Sequence, residues 1–391
     1  MNILRILLTA ALCAMLLTLP ATGQTRFITL YTFTNGVPTG LTPTSGALYG
    51  VLSGAAPTGS TCGDIFELQP PAAAGGSWTE TVLHSFAETN DGCYPGYDPI
   101  VTAGGVLYGL TLYGGAYGYG TFYELQPPSS PGGQWIESVL YSFAPGIGFP
   151  LSGLVPGPGG SFYVLAGGLF QLQPPGTPGG AWTGTVLYDI PGIGPIRALT
   201  AGPHGVLYGT SAQGGPGGLG QVFQLTPPAA SGGTWTETVL HNFAYGGASA
   251  GNPNSLTLAS DGTIYGTTYG YDLIGGAGTG SVFALTPPAS PGEAWTYAVL
   301  RDFGGYHPDS PLLLRNGNLY GAFATDFTDG DVFEMQPPST PGSPWTTTIL
   351  HQFTGQIPDG RLAMGKNGTL YGMSQYTMGA GSGTVFAIAT K

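Results

Sequence analysis

The chain has 391 residues, among them 70 glycines and 35 prolines, with 12% aromatic residues, 7% charged residues and a formal charge of −12. Gly and Pro at roughly a quarter of the chain mark low complexity when they are aperiodic, but high aromatic and low charged content is the reverse of a disordered composition and leaves enough apolar surface for a large core. Binding to a nucleic-acid backbone needs clustered basic residues, so the excess of acid excludes that class of partner.

The chain opens on "MNILRILLTAALCAMLLTLPATG", with a basic Arg5, an apolar run from Ile6 to Leu19 and the small residues Ala21, Thr22 and Gly23. This pattern predicts a signal peptide over residues 1–23 with cleavage before Gln24. The apolar run is shorter than the roughly 20 residues of a spanning helix, which argues against a membrane anchor. Cys13 is not a lipid acceptor, because Leu12 rather than a small residue precedes it. Cleavage removes only Arg5 from the charged set, leaving seven basic residues against 20 acidic ones and a net charge of −13. Secretion or periplasmic export follows, with no membrane contact once the leader is gone. Cys62 and Cys93 remain, and in an oxidising compartment a pair of cysteines is expected to be bridged.

Next comes "FITLYTF", Phe27 to Phe33, a strand pattern that stands alone. A repeated unit then begins. Tyr49, Tyr108, Tyr163, Tyr208, Tyr265, Tyr320 and Tyr371 mark seven copies, each with a glycine three residues earlier, from Gly46 to Gly368. Fixed self-similarity at this spacing is the mark of a repeat architecture. In three copies the glycine follows Asp261, Asn316 or Asn367, a hairpin signal between apolar runs such as "LTLASDG" and the "LYG" arm. A variable Gly-rich loop leads to a "VFxL"-type strand carrying Phe66, Tyr123, Phe170, Phe223, Phe283, Phe333 or Phe386. A Pro-Pro pair ends that strand, since proline has no N–H to donate.

A strand such as "WTETVLHSF" closes the unit, opened by Trp78, Trp135, Trp182, Trp235, Trp295 or Trp345. A period of two predicts Trp78, Val82 and Phe86 on one face and Leu83 with hydroxyl residues on the other. Four antiparallel strands apolar on both faces cannot stand alone, but seven such sheets around an axis cover one another. The expected fold is therefore all-β, a seven-bladed β-propeller of four-stranded antiparallel blades spanning residues 24–391 as a single domain. An open solenoid is the rival, and the termini decide against it. The last copy, "GTVFAIATK", lacks a tryptophan strand, and "FITLYTF" at the other end of the chain supplies the missing outer strand and closes the ring. Cys62, in the second loop of unit one, and Cys93, in the link to unit two, fall at the same end of such a meander. They are expected to form a disulfide.

The unit "IYGTTYGYDLIGGAGTGSVFALTPP", Ile264 to Pro288, resembles the GloVer-type (Gloeo-Verruco) tandem repeat of secreted bacterial proteins, and the likeness extends over nearly all of the mature chain. The resemblance implies propeller-like organisation and carries no assigned chemistry. The third unit departs from it, with "SFYVLAGGLFQLQPP" replacing the long loop by a tight turn.

Catalytic signals are sparse. No HExxH, GxSxG, P-loop, EF-hand or paired CxxC spacing occurs, and isolated GxG matches are uninformative in a chain this rich in glycine. His84, His241 and His351 recur at one position of the outer strand, which points to a structural role. No metal and no cofactor is expected. Asp98, Asp309 and Asp359 precede inner strands at the mouth of a central channel, where two carboxylates at glycosidase spacing could act, although aspartates also cap turns. The loops between second and third strands hold Tyr113, Tyr117, Tyr119, Tyr269, Tyr271 and Tyr376, and the links between units hold Tyr94, Tyr97, Tyr245 and Tyr306, all at one end. Tyrosine offers a flat apolar face and a hydroxyl, which suits sugars, and loops on rigid scaffolds collect binding residues. Two readings follow: a monomeric, non-catalytic binding or scaffold module for polysaccharide or an envelope protein, and a propeller glycosidase or lyase using the channel carboxylates. Low charge favours the first.

Overall fold

The computed structural model describes residues 26–390 apart from 35, 55–61, 74, 88–89, 131, 190–195, 231, 245–250, 271–279, 291, 309, 326–327, 341 and 377–381. The leader, Tyr245, Tyr271 and Asp309 lie outside the described residues. The described strands form seven four-stranded antiparallel sheets in a ring, each sheet a meander in sequence order except the last. Blade one is built from Val37–Pro43, Leu48–Ser53, Gly63–Gln69 and Thr79–Ser85, running from the axis outward. Later blades begin at Cys93–Val101, Val155–Pro156, Ile196–Ala201, Pro253–Leu258, Leu313–Arg315 and Gln356–Met364. Two 3₁₀ turns, Pro158–Gly160 and Pro203–Gly205, are the only helical turns among the described residues. None of those residues forms a helix long and apolar enough to cross a membrane.

Blade seven is completed from the start of the chain. Arg26–Thr32 lies outside Gly383–Ala389, with Arg26 opposite Ala389 and Thr32 opposite Thr384. The Phe33 N–H extends the pairing by donating to Gly383 O at 2.9 Å. Phe33 is buried and packs on Phe66 of blade one at 4.9 Å, while Phe27 stacks on His351 of blade six at 3.5 Å. One strand thus seals both seams of the last blade.

The glycine of each "LYG" arm has a packing cause. A Cβ at Gly50, Gly209, Gly266, Gly321 or Gly372 would come within 2.3–2.5 Å of the phenylalanine ring from the neighbouring third strand, from Phe66 through to Phe386. Tyr123 lies over Gly109 in the same way. Blade three breaks the rule and compensates for it. Val164 takes the glycine's place, and the ring of Phe170 lies instead over Gly184 of the outer strand, where a Cβ would approach it to 2.3 Å. Its second and third strands join through the short turn Ala166 to Gly168, as the sequence predicts.

The hairpin turns divide into two kinds. Asn316 and Gly317 both have positive φ, at 51° and 82°. At Asp261 and Asn367 only the following glycine is left-handed, and the side-chain oxygen accepts the N–H of Thr263 or Thr369. Such a turn is held by the Asx side chain rather than by two left-handed residues.

The outer strands correct the period-two reading. Phe66 faces Val82 but Ile65 faces His84, so Leu83 is an extra residue in the ladder. The same shift falls at Leu30, Leu140, Leu187, Leu240, Leu300 and Leu350. A bulge reverses the alternation beyond it. Leu83 therefore joins Phe86 against blade two, Trp78 packs toward blade seven, and Val82 is exposed. The core is divided among the seams, each sheet burying one face against each neighbour.

Cys62 and Cys93 are bonded, with their Cα atoms 4.5 Å apart, and both are buried in the seam between blades one and two.

Candidate functional site

Innermost strands begin at the link end, and several carry a register shift near that start. The shifts fall between Pro38 and Gly40, Gly96 and Ile100, Ile196 and Ala198, Pro253 and Ser255, and Asp359 and Ala363. A bulge re-aims the extra residue. The residues so displaced include Thr39, Tyr97 with Asp98, Arg197, Asn254 and Arg361, a polar set in a chain with few charges. Two of its seven basic residues past the leader are here.

Blades one and seven both meet the Tyr97–Asp98 bulge of blade two. Asp98 Oδ1 accepts the Leu41 N–H of blade one at 2.9 Å, and Arg361 Nε of blade seven lies 3.7 Å from Asp98 Oδ2. Thr42 Oγ1 donates to Pro99 O at 2.6 Å. Gly40 has no room for a Cβ, which would fall 2.2 Å from Tyr97 O, so glycine permits this close approach of the two inner strands. Burial pushes the Tyr97 phenol up to about 12, against the pull of the Arg197 guanidinium of blade four. Blades two and four are separated by blade three, whose inner strand is only Val155–Pro156. Burial also raises the Asp98 carboxyl, opposed by Arg361 and the Leu41 N–H, although the side chain keeps 29% of its surface accessible at the channel. Asp359 is raised by burial too, with the Gly360 N–H pulling it down. Both aspartates lie inside inner strands rather than ahead of them. Tyr97 and Tyr94 have left-handed φ of 67° and 57°, conformations that cost energy in a bulky residue and collect at functional sites.

Tyrosines of the link end form two groups. In blade two, Tyr113 meets Tyr94 at 5.6 Å and Phe149 at 5.2 Å, and Tyr119 meets Phe149 at 4.8 Å. Tyr113, Tyr117 and Phe149 are exposed, whereas Tyr119 is half-buried and helps pack the loop. At blades five and six, Tyr269 stacks on His307 at 4.3 Å and Tyr306 on Phe323 at 5.6 Å, with Tyr269 and Tyr306 exposed. Tyr376 is exposed in blade seven. Tyr94 and Tyr97 belong to the inner strand Cys93–Val101, not to a link: the bulge lets that strand hold Pro95 and Pro99, which read as loop in the sequence. Phe149, Arg197 and Arg361 were missed. For the arginines a signal existed: basic residues are rare here, although only Arg197 sits where an inner strand starts, Arg361 lying in the middle of Gln356–Met364.

The recurrent histidines bind the blades together. His241 stacks on Tyr297 of the next blade at 4.1 Å, as His351 does on Phe27. Other seams use the same two positions differently. Tyr188 Oη donates to Glu237 Oε2 at 3.2 Å, a hydrogen bond to Glu80 and burial push Tyr31 up to about 12, and Tyr141 fills the space over Gly184. In the first seam His84 meets Glu137 across an open cleft of about 550 Å³ that Asp91 also lines. Burial, and then the Asp91 carboxylate, push Glu137 up to about 7, and Glu137 Oε1 has no hydrogen-bond partner among the described residues. Burial lowers His84, against Asp91 at 3.5 Å and Asp64.

A raised carboxyl favours the folded state while protonated. The contribution of Glu137 is complete below its usual value of 4.5 and is lost as pH rises toward about 7. Glu137→Gln cannot ionise, so it should melt with wild type at pH 4 and above it at pH 8. Thermal melts across that range check the sign, and equal melting at pH 8 counts against it.

Among the described residues no group of three or more His, Cys, Asp or Glu side chains could hold a metal ion. The profile of the Gloeobacter/Verrucomicrobia repeat matches residues 159–386, more than half of the chain. No curated protein matches the sequence significantly. Among solved structures the fold is similar to an ulvan lyase of a polysaccharide lyase family, at 11% identity, covering 92% of this chain and 95% of that one, with a TM-score of 0.57. It is also similar to YCF48 from Cyanidioschyzon merolae, at 12% identity, 92% and 98% coverage and a TM-score of 0.51. PorZ of Porphyromonas gingivalis, a surface component of the type-IX secretion system, matches at 13% identity over 90% of this chain and 46% of that one, with a TM-score of 0.52. At these identities the likeness is one of fold.

Proposed function

This chain belongs to the Gloeobacter/Verrucomicrobia repeat family, and on that footing we propose that it is an exported, non-catalytic binding module whose link end takes a polysaccharide. The observation that carries this reading is the set of exposed rings there, Tyr113, Tyr117, Phe149, Tyr269, Tyr306 and Tyr376, with 37–59% of their surface open to water. Aromatic faces fixed on a rigid scaffold stack on sugar rings at little entropic cost. The Cys62–Cys93 bridge supports an oxidising compartment, and the ulvan lyase supports the reading in that this kind of ring also serves a protein acting on polysaccharide.

For a glycan identified by array, Tyr117→Ala and Tyr269→Ala should each weaken binding by about 1 kcal/mol or more, as truncated aromatic anchors do. Calorimetric titration measures this, and unchanged affinity in both variants overturns the reading.

Catalysis is the second reading, favoured by Asp98 and Asp359 in the axial bulges with carboxyls raised by burial. A glycosidase or lyase of this design should cleave a plant or bacterial polysaccharide and lose that activity on Asp98→Asn. Absence of turnover across such a panel leaves the binding role.

A further inference from the structure

We infer that the axial bulges form a carboxylate subsite, with Arg197 and Arg361 as its cations, which selects polysaccharides built of uronate. The inference rests on the glycan-binding reading and adds the charge class of the ligand. Acidic residues outnumber basic ones nearly threefold past the leader, so the protein as a whole repels a polyanion. Against that background two of the few arginines fall in inner-strand bulges. Arg361 touches Asp98 through Nε alone, at 3.7 Å, and 54% of its side-chain surface is open. Its two terminal nitrogens remain as a fork, the geometry that takes a carboxylate through two parallel hydrogen bonds.

Arg197 is exposed and makes no ion pair among the described residues. It lies at the register shift of blade four's inner strand and its charge reaches Tyr97, while Arg361 approaches Asp98, the next residue in the chain. Both cations therefore belong to inner-strand bulges, and both charges bear on the bulge of blade two. Asp98 opposes an incoming carboxylate, but it already accepts the Leu41 N–H and faces Arg361, which spend much of its charge inside the site. Sulfate and phosphate esters are the other anions that sugars carry. The planar fork matches the flat carboxylate through two parallel hydrogen bonds.

The test titrates the purified protein with oligomers of galacturonate, glucuronate and mannuronate, with their neutral hexose counterparts, and with dextran sulfate. At least one uronate oligomer should bind tenfold or more tighter than its neutral counterpart, and more weakly as salt is raised. Arg197→Ala and Arg361→Ala should each remove tenfold or more of that preference. Arg361→Lys should restore only part of it, because a point charge replaces the fork. Arg301→Ala, on an outer strand against Phe303, should leave it unchanged. The Lys variants at both positions preserve charge and keep the test readable if an Ala variant fails to fold. Equal binding of neutral and uronate oligomers overturns the subsite and leaves the glycan reading intact. Equal or tighter binding of dextran sulfate overturns the carboxylate assignment. Binding of no saccharide in any arm overturns both.

Discussion

Removing the chain up to residue 35 should leave a protein that does not hold its ring. The third strand of blade seven would lose its whole outer partner, from Ala389 to Thr384, and the N–H and C=O groups between them. Buried Phe33 and the part-buried Phe27, Leu30 and Tyr31 would leave the seams with blades six and one. At about 1.5–3 kcal/mol for each fully buried large side chain, the loss is on the order of 5 kcal/mol or more. That is comparable with the entire stability of many domains. We expect insoluble or molten material, read by gel filtration and near-ultraviolet circular dichroism. A second variant separates closure from mere loss of sequence. Residues 26–33 moved to follow residue 391, through a loop of the Pro-Pro type that joins third and fourth strands elsewhere, should fold and melt close to wild type. A truncated protein with an unchanged melting temperature would sink the account.

Loss of the disulfide is the second large effect. The bridge closes a separation of 31 residues, and the chain-entropy relation assigns such a loop about 3–4 kcal/mol. Over a domain this size that corresponds to a fall of roughly 5 °C in melting temperature. The Cys62→Ala, Cys93→Ala double variant should show it, and wild type treated with reductant under mild denaturation should approach the double variant. Mass spectrometry finding two unbonded thiols in exported protein is the opposite outcome.

The blades were legible because their cause is local and repeated. "LYG" recurs because a phenylalanine or tyrosine ring needs the space over its glycine, and the Pro-Pro pair recurs because a strand must end there. The orphan strand at Phe27 could be assigned by arithmetic alone, seven inner strands needing seven outer ones. What the pattern hid were departures from alternation. A bulge has no composition of its own, so Leu83 looked like the polar face of its strand although it faces blade two. The same blindness sent Tyr97 to a link, since two prolines flank it, whereas the shifted ladder keeps it in the sheet beside the axis. Asp98 was chosen for its residue type, but its partner Arg361 comes from a blade more than 260 residues away in sequence, and no spacing rule joins them.

The differing contacts at the outer seams bear on how the chain assembles. Repeats this similar can dock on the wrong neighbour during folding, a hazard typical of repeat proteins. The outer seams of this ring carry two kinds of contact: tyrosine–carboxylate pairs, Tyr31 with Glu80 and Tyr188 with Glu237, and stacked rings, His241 with Tyr297 and His351 with Phe27. Blade three is the strictest case, because only Gly184 admits the rings of Tyr141 and Phe170 together. A blade exchanged for its neighbour would bring a carboxylate against an aromatic pocket, or a side chain where only hydrogen fits. Exchange between the two kinds of seam is therefore opposed from outside the core, and such a shuffle requires changing both sides of a seam at once.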